Sequence, residues 1–529
     1  MKKQPKPPFT GGWHMIFEKL EKNLRKNNRL SKIIRIFVVQ KTIYNLKQSV
    51  MDAKIDHFSE LSKFLGDKSS VCADFLSLLG RFKLGHSLSR LKMEKEKGAS
   101  SIQLLQYLLI FRLCGQSIHQ SLHQQFGKLI EGGKNQFYRF LTRPRMDWRR
   151  LLLATAKSFF RIVREESSDP EQERYFILDD TTLEKTGICM EGISRVFDHV
   201  AQKSVLGYKL LMLAVTDGKS TIPLDFSLHA EPGSKKNFGL SRKQLAGRFH
   251  KTREAGDCSR KREDELLKEK PKTAIEMIRR AIKNGIIAKY LLMDKWFFGK
   301  DFIREVRRIR KGLIHVVILL KNKDTGFTVN GRKISAKVLI AMHERKGDFI
   351  TCRRYKSKYV RIRAEYDGIP VQLFVIRYGR SSKYEVMVTT DMKLNFVSSF
   401  ELYQIRWNIE VLFYETKQHL ELGRCQSLDL DAQIADCTLA FIAYSVISLR
   451  KRFSDYETFG DLFRDIRDGL LELTFIERLL PMIAELLERI ARLLDSTLDD
   501  LLERAIADPE TRMDLECILR YNQDFKDRA

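Results

Sequence analysis

From Trp13 to about residue 130, apolar residues recur at three- and four-residue spacing, the period of amphipathic helices. The texture changes at 174–180. RYFILDD is a short β-type apolar run that ends in two aspartates, Asp179 and Asp180. Strand-like runs follow at Ser204–Thr216 and Ile222–Leu228, separated by the turn Asp217-Gly218-Lys219. Residues 229–271 are polar and very basic, which predicts a surface loop or partly ordered connector. Lys272–Asn284 reads as a helix stopped by Gly285, and AKYLLM at 288–293 is another short strand that runs into an aspartate, Asp294. A basic helix to about Arg310 and a strand at 313–320 come next. Residues 325–395 then alternate short apolar and charged pieces with turn signals, predicting several mostly antiparallel strands and one helix at 335–344. Tyr403–Lys417 has neither Gly nor Pro and predicts one helix, and Leu428–Phe453 and 460–529 predict more.

The longest apolar runs, such as 313–320, suit buried strands rather than membrane spans. Eight cysteines are scattered singly with no CxxC pair, which argues against a disulfide framework or a zinc knuckle and points to a reducing, cytoplasmic setting. A chain of 529 residues has room for several domains, and its net charge of +28 favours a polyanionic partner. With no amphipathic anchor or lipidation motif, nucleic acid is preferred to a membrane surface. Residues 1–50 alone hold twelve Lys or Arg against Glu18 and Glu21, and Lys83–Lys97 and Asn135–Arg150 are further basic segments. The last fifty residues turn net acidic, which suits contact between subunits better than contact with DNA.

The predicted helix Tyr403–Lys417 carries the densest chemistry. At about 100° per residue, Tyr403, Arg406, Glu410 and Lys417 share an arc of roughly 60°. One carboxylate is thereby flanked by two cations and a phenol, although solvated helix faces carry such patterns too. Asp294 lies 114 residues after Asp180 and Glu410 lies 116 after Asp294. Carboxylates at the ends of buried strands need partners, and three of them converging would repel unless a hard divalent cation lay between them. Two Mg2+ ions about 3.5–4 Å apart would make a clamp for in-line phosphoryl transfer. Strand alternation sends Asp179 and Asp180 to opposite sheet faces, and periodicity does not choose between them.

The pattern Tyr-x2-Arg-x3-Glu-x6-Lys formed by Tyr403, Arg406, Glu410 and Lys417 resembles the YREK signature of bacterial DDE transposases of the insertion sequence four family. Asp180-Thr181-Thr182 after an apolar strand, Asp294 with Trp296-Phe297, and the stretch from Asp198 through Leu206-Gly207-Tyr208 to Ile222-Pro223-Leu224 extend the likeness over roughly 174–425. The resemblance implies an α/β fold: an RNase H-like mixed sheet flanked by helices, interrupted by a mostly β insertion, with helical N- and C-terminal regions. The expected divisions are a helical basic DNA-binding region at 1–135, the core at 136–320 and 396–455, the insertion at 321–395, and a helical region at 456–529 that could serve dimerisation. It also implies Asp180, Asp294 and Glu410 as metal ligands for two Mg2+ ions, with Mn2+ as a substitute. Tyr403, Arg406 and Lys417 would grip the DNA end, and Trp407 and Trp296 would stack on an unpaired base. The implied reaction is cut-and-paste transposition: end nicking, hairpin formation and opening, and strand transfer. The implied partners are double-stranded DNA (terminal inverted repeats and target) and a second copy of the chain, at the bacterial nucleoid. Two other functions fit the same residues: a DDE nuclease without strand transfer, and a non-enzymatic DNA-binding protein.

Overall fold

The computed structural model describes residues 77–95, 98–125, 133–167, 173–379, 381–471 and 493. The chain divides into two compact units. One comprises 74–121 and 132–467, and the other comprises 1–73, 122–131 and 468–529. Nearly all described residues belong to the first. Most of the basic 1–135 region, and the acidic helical pattern at 482–502, lie outside the described residues.

In chain order the elements that build the site are helices α1 (Ser101–Leu113) and α2 (Trp148–Glu166), then strands β1 (Tyr175–Glu184), β2 (Ser194–Asp198), β3 (Lys203–Thr216) and β4 (Thr221–His229). Helix α3 (Lys270–Lys283), strand β5 (Tyr290–Met293), helix α4 (Lys300–Arg308) and strand β6 (His315–Leu319) follow. The insertion holds β7 (Gly326–Val329), β8 (Arg332–Ser335), helix α5 (Ala336–Lys346), β9 (Ile350–Cys352), β10 (Ser357–Tyr366), β11 (Ile369–Tyr378) and β12 (Tyr384–Thr389). Helices α6 (Phe396–Ile405), α7 (Asn408–His419) and α8 (Leu430–Arg452) complete the set.

All twelve strands form one mixed sheet, ordered β2-β3-β1-β5-β6-β12-β11-β10-β7-β8, with β4 also on β3 and β9 on β10. β1, β5 and β6 run parallel, and β3 is antiparallel to β1. With helices flanking this arrangement, the expected RNase H-like α/β architecture is present. Burial separates the two halves of the sheet. β4 is buried at every position, its alternating Asp225, Ser227 and His229 included, whereas β10 alternates charged and apolar residues and buries one face. β3 comes so close to β1 that a Cβ on Gly207 would lie 2.1 Å from the Leu183 carbonyl oxygen, so only glycine fits there.

The mostly β insertion is present, and its last strand, β12, pairs with β6 through Met387–Thr389 and so extends the core sheet. Four expectations change. The first strand does not end at its aspartates: β1 runs on to Glu184, held by β3. The polar 229–271 connector contains a helix, Cys258–Glu265, and buries Arg253 completely against Glu191 and Asp431, because its many charges pair internally. The stretch 403–417 is two helices meeting at Arg406-Trp407, not one. Finally, α8 is long and apolar enough to cross a membrane, contrary to the reading of the apolar runs, but 94% of its apolar window is buried inside the protein. From Leu430 to Leu449 only Asp436 escapes burial, so this helix is the core's central post.

Candidate active site

β1 and β5 lie side by side in parallel, with Leu178 opposite Met293. The next residue on each strand is an aspartate. Register neighbours in a parallel pair share a sheet face, so Asp179 and Asp294 face the same way and Asp180 faces the opposite way. Asp294 also begins a short turn of helix and accepts the Trp296 backbone N–H at 2.9 Å. It has no cation partner among the described residues.

Helix α7 brings the third acid. The Arg406 guanidinium donates to Asp179 Oδ2 at 2.8 Å and to Glu410 Oε1 at 2.8 Å, tying β1 to the start of α7. The i,i+4 geometry of Arg406 and Glu410 survives the helix break because both Arg406 and Trp407 keep right-handed helical dihedrals. Tyr403 lies on the same side, with the Arg406 guanidinium 5.7 Å from its ring centroid.

The electrostatics follow from this geometry. Burial pushes the Asp179 carboxyl up to about 7; Arg406 opposes the rise, while Asp180 and Asp294 add to it. Burial alone would lower the Arg406 pKa, but Tyr403, Asp179 and Glu410 hold it above the ordinary value. Burial likewise raises the Tyr403 phenol to about 12. The first-ligand expectation fell on Asp180. That carboxylate instead pairs with Lys270 Nζ at 2.6 Å, while Asp179 shares Arg406 with Glu410. The pleat separates the two residues, and the family likeness had favoured the one beside Thr181.

Lys417, expected to reach DNA, donates to Thr181 Oγ1 at 2.7 Å and to the Thr182 carbonyl at 3.0 Å. Burial lowers its pKa. In this state it pins α7 to β1. Trp407 and Trp296 are 60% and 42% exposed, well above ordinary core tryptophans. Trp407, Arg406 and Tyr403 border a cavity of about 450 Å3 whose far wall is Leu319, Ile376 and Phe400. Lys270 Nζ lies 5.2 Å from the Trp296 ring centroid, so one lysine touches both Asp180 and a candidate stacking residue. Sequence reasoning missed Lys270 because nothing in its local pattern separates it from the surrounding basic residues.

Asp179 and Glu410 share one cation, Arg406, with Asp294, unpaired among the described residues, beside Asp179, while Asp180 pairs with Lys270. Hard carboxylate oxygens in excess of positive charge are the donor type for Mg2+ or Mn2+. Among the described residues, however, no three acidic, histidine or cysteine side chains are gathered as a metal shell. The Arg406 guanidinium stands between Asp179 and Glu410 as the local cation. The donors are of the type a divalent ion takes, and here Arg406 holds two of them, Asp179 and Glu410, together.

Comparison with known families agrees with this geometry. Residues 96–322 match the family model of the DDE superfamily endonucleases. Residues 268–446 match the transposase DDE domain. Over these residues the chain resembles DDE transposase-type nucleases. Together the two matches run from 96 to 446 and contain all four carboxylates. DDE domains of this kind act on DNA and generally use divalent metals. No curated protein matches the chain.

Proposed function

We propose that the protein is an insertion-sequence transposase of the YREK type, moving DNA by metal-dependent cut-and-paste phosphoryl transfer. One observation carries the reading: Arg406 joins Asp179, midway along β1, to Glu410, with Asp294 in register beside Asp179. Asp179, rather than Asp180, is assigned as the first ligand, with Asp294 and Glu410 as the second and third. Two bound divalent ions would supply Lewis-acid stabilisation and activation of water or a 3′-hydroxyl.

The chain's own residues do the rest. Arg406 releases the two carboxylates and turns to a DNA phosphate, for which its planar fork is suited. Tyr403 donates its phenolic hydrogen to the same backbone; its raised pKa keeps that hydrogen in place at neutral pH. Lys417 fixes α7 against β1 through Thr181 and Thr182, so that Glu410 approaches from a constant direction. Trp407, beside its cavity, and Trp296 receive an unstacked base. Two copies of the chain pair the two element ends at the nucleoid, and 1–135 and 456–529 supply end recognition and dimer contacts. The match to an endonuclease family also supports cutting without strand transfer as a second reading.

The test is cleavage of supercoiled DNA that carries the gene's own flanks, with Mg2+ or Mn2+. Asp179→Asn, Asp294→Asn and Glu410→Gln should each remove cleavage, and Asp180→Asn should keep it. Full cleavage by Asp179→Asn would reject the assignment. Joining of the cut 3′ ends to a second plasmid separates a transposase from a nuclease.

A further inference from the structure

A cavity of about 630 Å3 lies away from the carboxylates and is lined by seven Lys or Arg against two Asp, Asp147 and Asp431. A second cavity of about 540 Å3 is lined by seven Lys or Arg and no acid. Arg150 and Asn284 belong to both walls, so the two form one continuous basic tract with thirteen different Lys and Arg.

Two helices locate this tract. Arg150, Lys157, Arg161 and Arg164 on α2 follow seven-, four- and three-residue steps, which put them on one face; Leu151, Leu152, Phe159 and Ile162 are buried. From Arg150 to Arg164 the stripe extends about 21 Å, at about 1.5 Å per residue. Helix α3 begins at Lys270 beside Asp180 and ends at Lys283 on the tract, so the tract lies about 20 Å from the carboxylates along that helix. Arg174 and Gly285 place it where β1 and β5 begin, before Asp179 in the middle of β1 and Asp294 just past the end of β5.

The charges divide by role. Arg149, Arg262 and Arg280 are engaged by the buried Asp225 and Glu265. Lys157, Arg164, Lys261 and Lys283 are exposed and pair with no carboxylate among the described residues. The tract's tryptophan and phenylalanine rings are not available for stacking, and its one exposed ring among the described residues is the His86 imidazole. Trp148 and Phe160 are 3% and 6% exposed, and Arg174 covers the Phe160 ring at 4.3 Å. Single-strand binders need such rings as platforms, whereas duplex binders need only cations spaced along phosphates.

We infer that this tract is a second DNA surface, separate from the catalytic carboxylates, which holds the phosphate backbone of duplex DNA without reading its sequence and without divalent ions. The inference rests on the DNA-transacting function proposed above. Its test uses the full chain, EDTA, and labelled duplexes of roughly 30 base pairs, about three helical turns. Anisotropy is recorded across a salt series. Arg150→Glu/Lys157→Glu/Arg164→Glu should weaken binding of unrelated duplexes by about tenfold or more, and should reduce the salt slope by about 2.7, at about 0.9 per lost phosphate contact. The triple alanine variant should show the same slope change if the reversed one melts early. Unchanged affinity and slope in a folded variant would overturn the surface, as would a loss confined to single strands. In either case, cleavage by the wild-type protein would leave the proposed function standing. Failure of the wild-type protein to bind or cut any duplex would defeat that function itself.

Discussion

Asp225 and Asp179 are both strand aspartates drawn out of water toward arginine, and they titrate in opposite directions. Asp225, wholly buried on β4, receives Arg149 at 2.8 Å and Arg280 at 2.7 Å, with Arg262 at 3.9 Å. Burial would raise its pKa, but the three guanidinium groups outweigh burial and hold the carboxyl below its ordinary value. Asp179 has one guanidinium, shares it with Glu410, and has two more aspartates nearby, so burial wins and the carboxyl rises to about 7. Asp225 is therefore a closed structural pair network. Asp179 belongs to an under-neutralised group, the condition a divalent cation relieves. Burial and proximity to arginine do not mark a functional acid; the local balance of charge does.

The largest effect expected from breaking this contrast is at the closed network. Asp225→Ala leaves three buried or half-buried arginines short of a partner and should cost about 3–5 kcal/mol in denaturant unfolding. Asp179→Asn should do the reverse. Because the folded-state pKa of Asp179 is raised, the folded protein keeps a proton that the unfolded chain releases between 3.8 and about 7. Wild-type stability contributed by this group is thus greatest below that window and is lost as pH rises through it. At about 1.4 kcal/mol per pH unit, the substitution should stabilise the protein by up to about 4 kcal/mol above pH 7 and hardly at all near pH 4, as read from melting temperature against pH. A flat difference between the two proteins would remove Asp179 from the under-neutralised group.

Arg406→Ala sharpens the comparison from the other side. Loss of its two charged hydrogen bonds should destabilise the metal-free protein by about 1.5–3 kcal/mol. Added Mn2+ should then raise the melting temperature of this variant more than that of the wild type, since the carboxylates no longer hold a resident cation. Equal shifts would mean that Arg406 and the ion do not share a place. The smallest effect belongs to Lys270→Gln. It removes one charged hydrogen bond rather than two, so stability should fall by about 1.5 kcal/mol, and DNA cleavage should persist.

Much of this contrast was legible in the chain, and the missing part has a physical cause. Apolar runs leading into aspartates, and Tyr403, Arg406 and Glu410 at helical spacing, are local patterns, set by the periods of strand and helix; that β1 runs on past its aspartates was not legible. The core strands were equally visible, because β3 is too apolar to face water and β4 carries Ile222, Leu224, Phe226 and Leu228 at alternate positions. Asp179 against Asp180 was not legible, since alternation says only that they diverge; the face is decided by β5 and α7, more than a hundred residues away. Lys270 and the three arginines around Asp225 were hidden for the same reason, as ordinary cations in basic segments whose partners are set by tertiary packing. The union of β6 with β12 was likewise invisible, because antiparallel pairing across an insertion has no local signature.

The central claim is that Asp179, and not its neighbour, completes a carboxylate site for a divalent ion. Electron paramagnetic resonance of Mn2+ titrated into the protein bound to duplex DNA from the gene's flanks reads this directly. The bound-ion signal should vanish in Asp179→Asn and persist in Asp180→Asn. Persistence in the first and loss in the second would contradict the account.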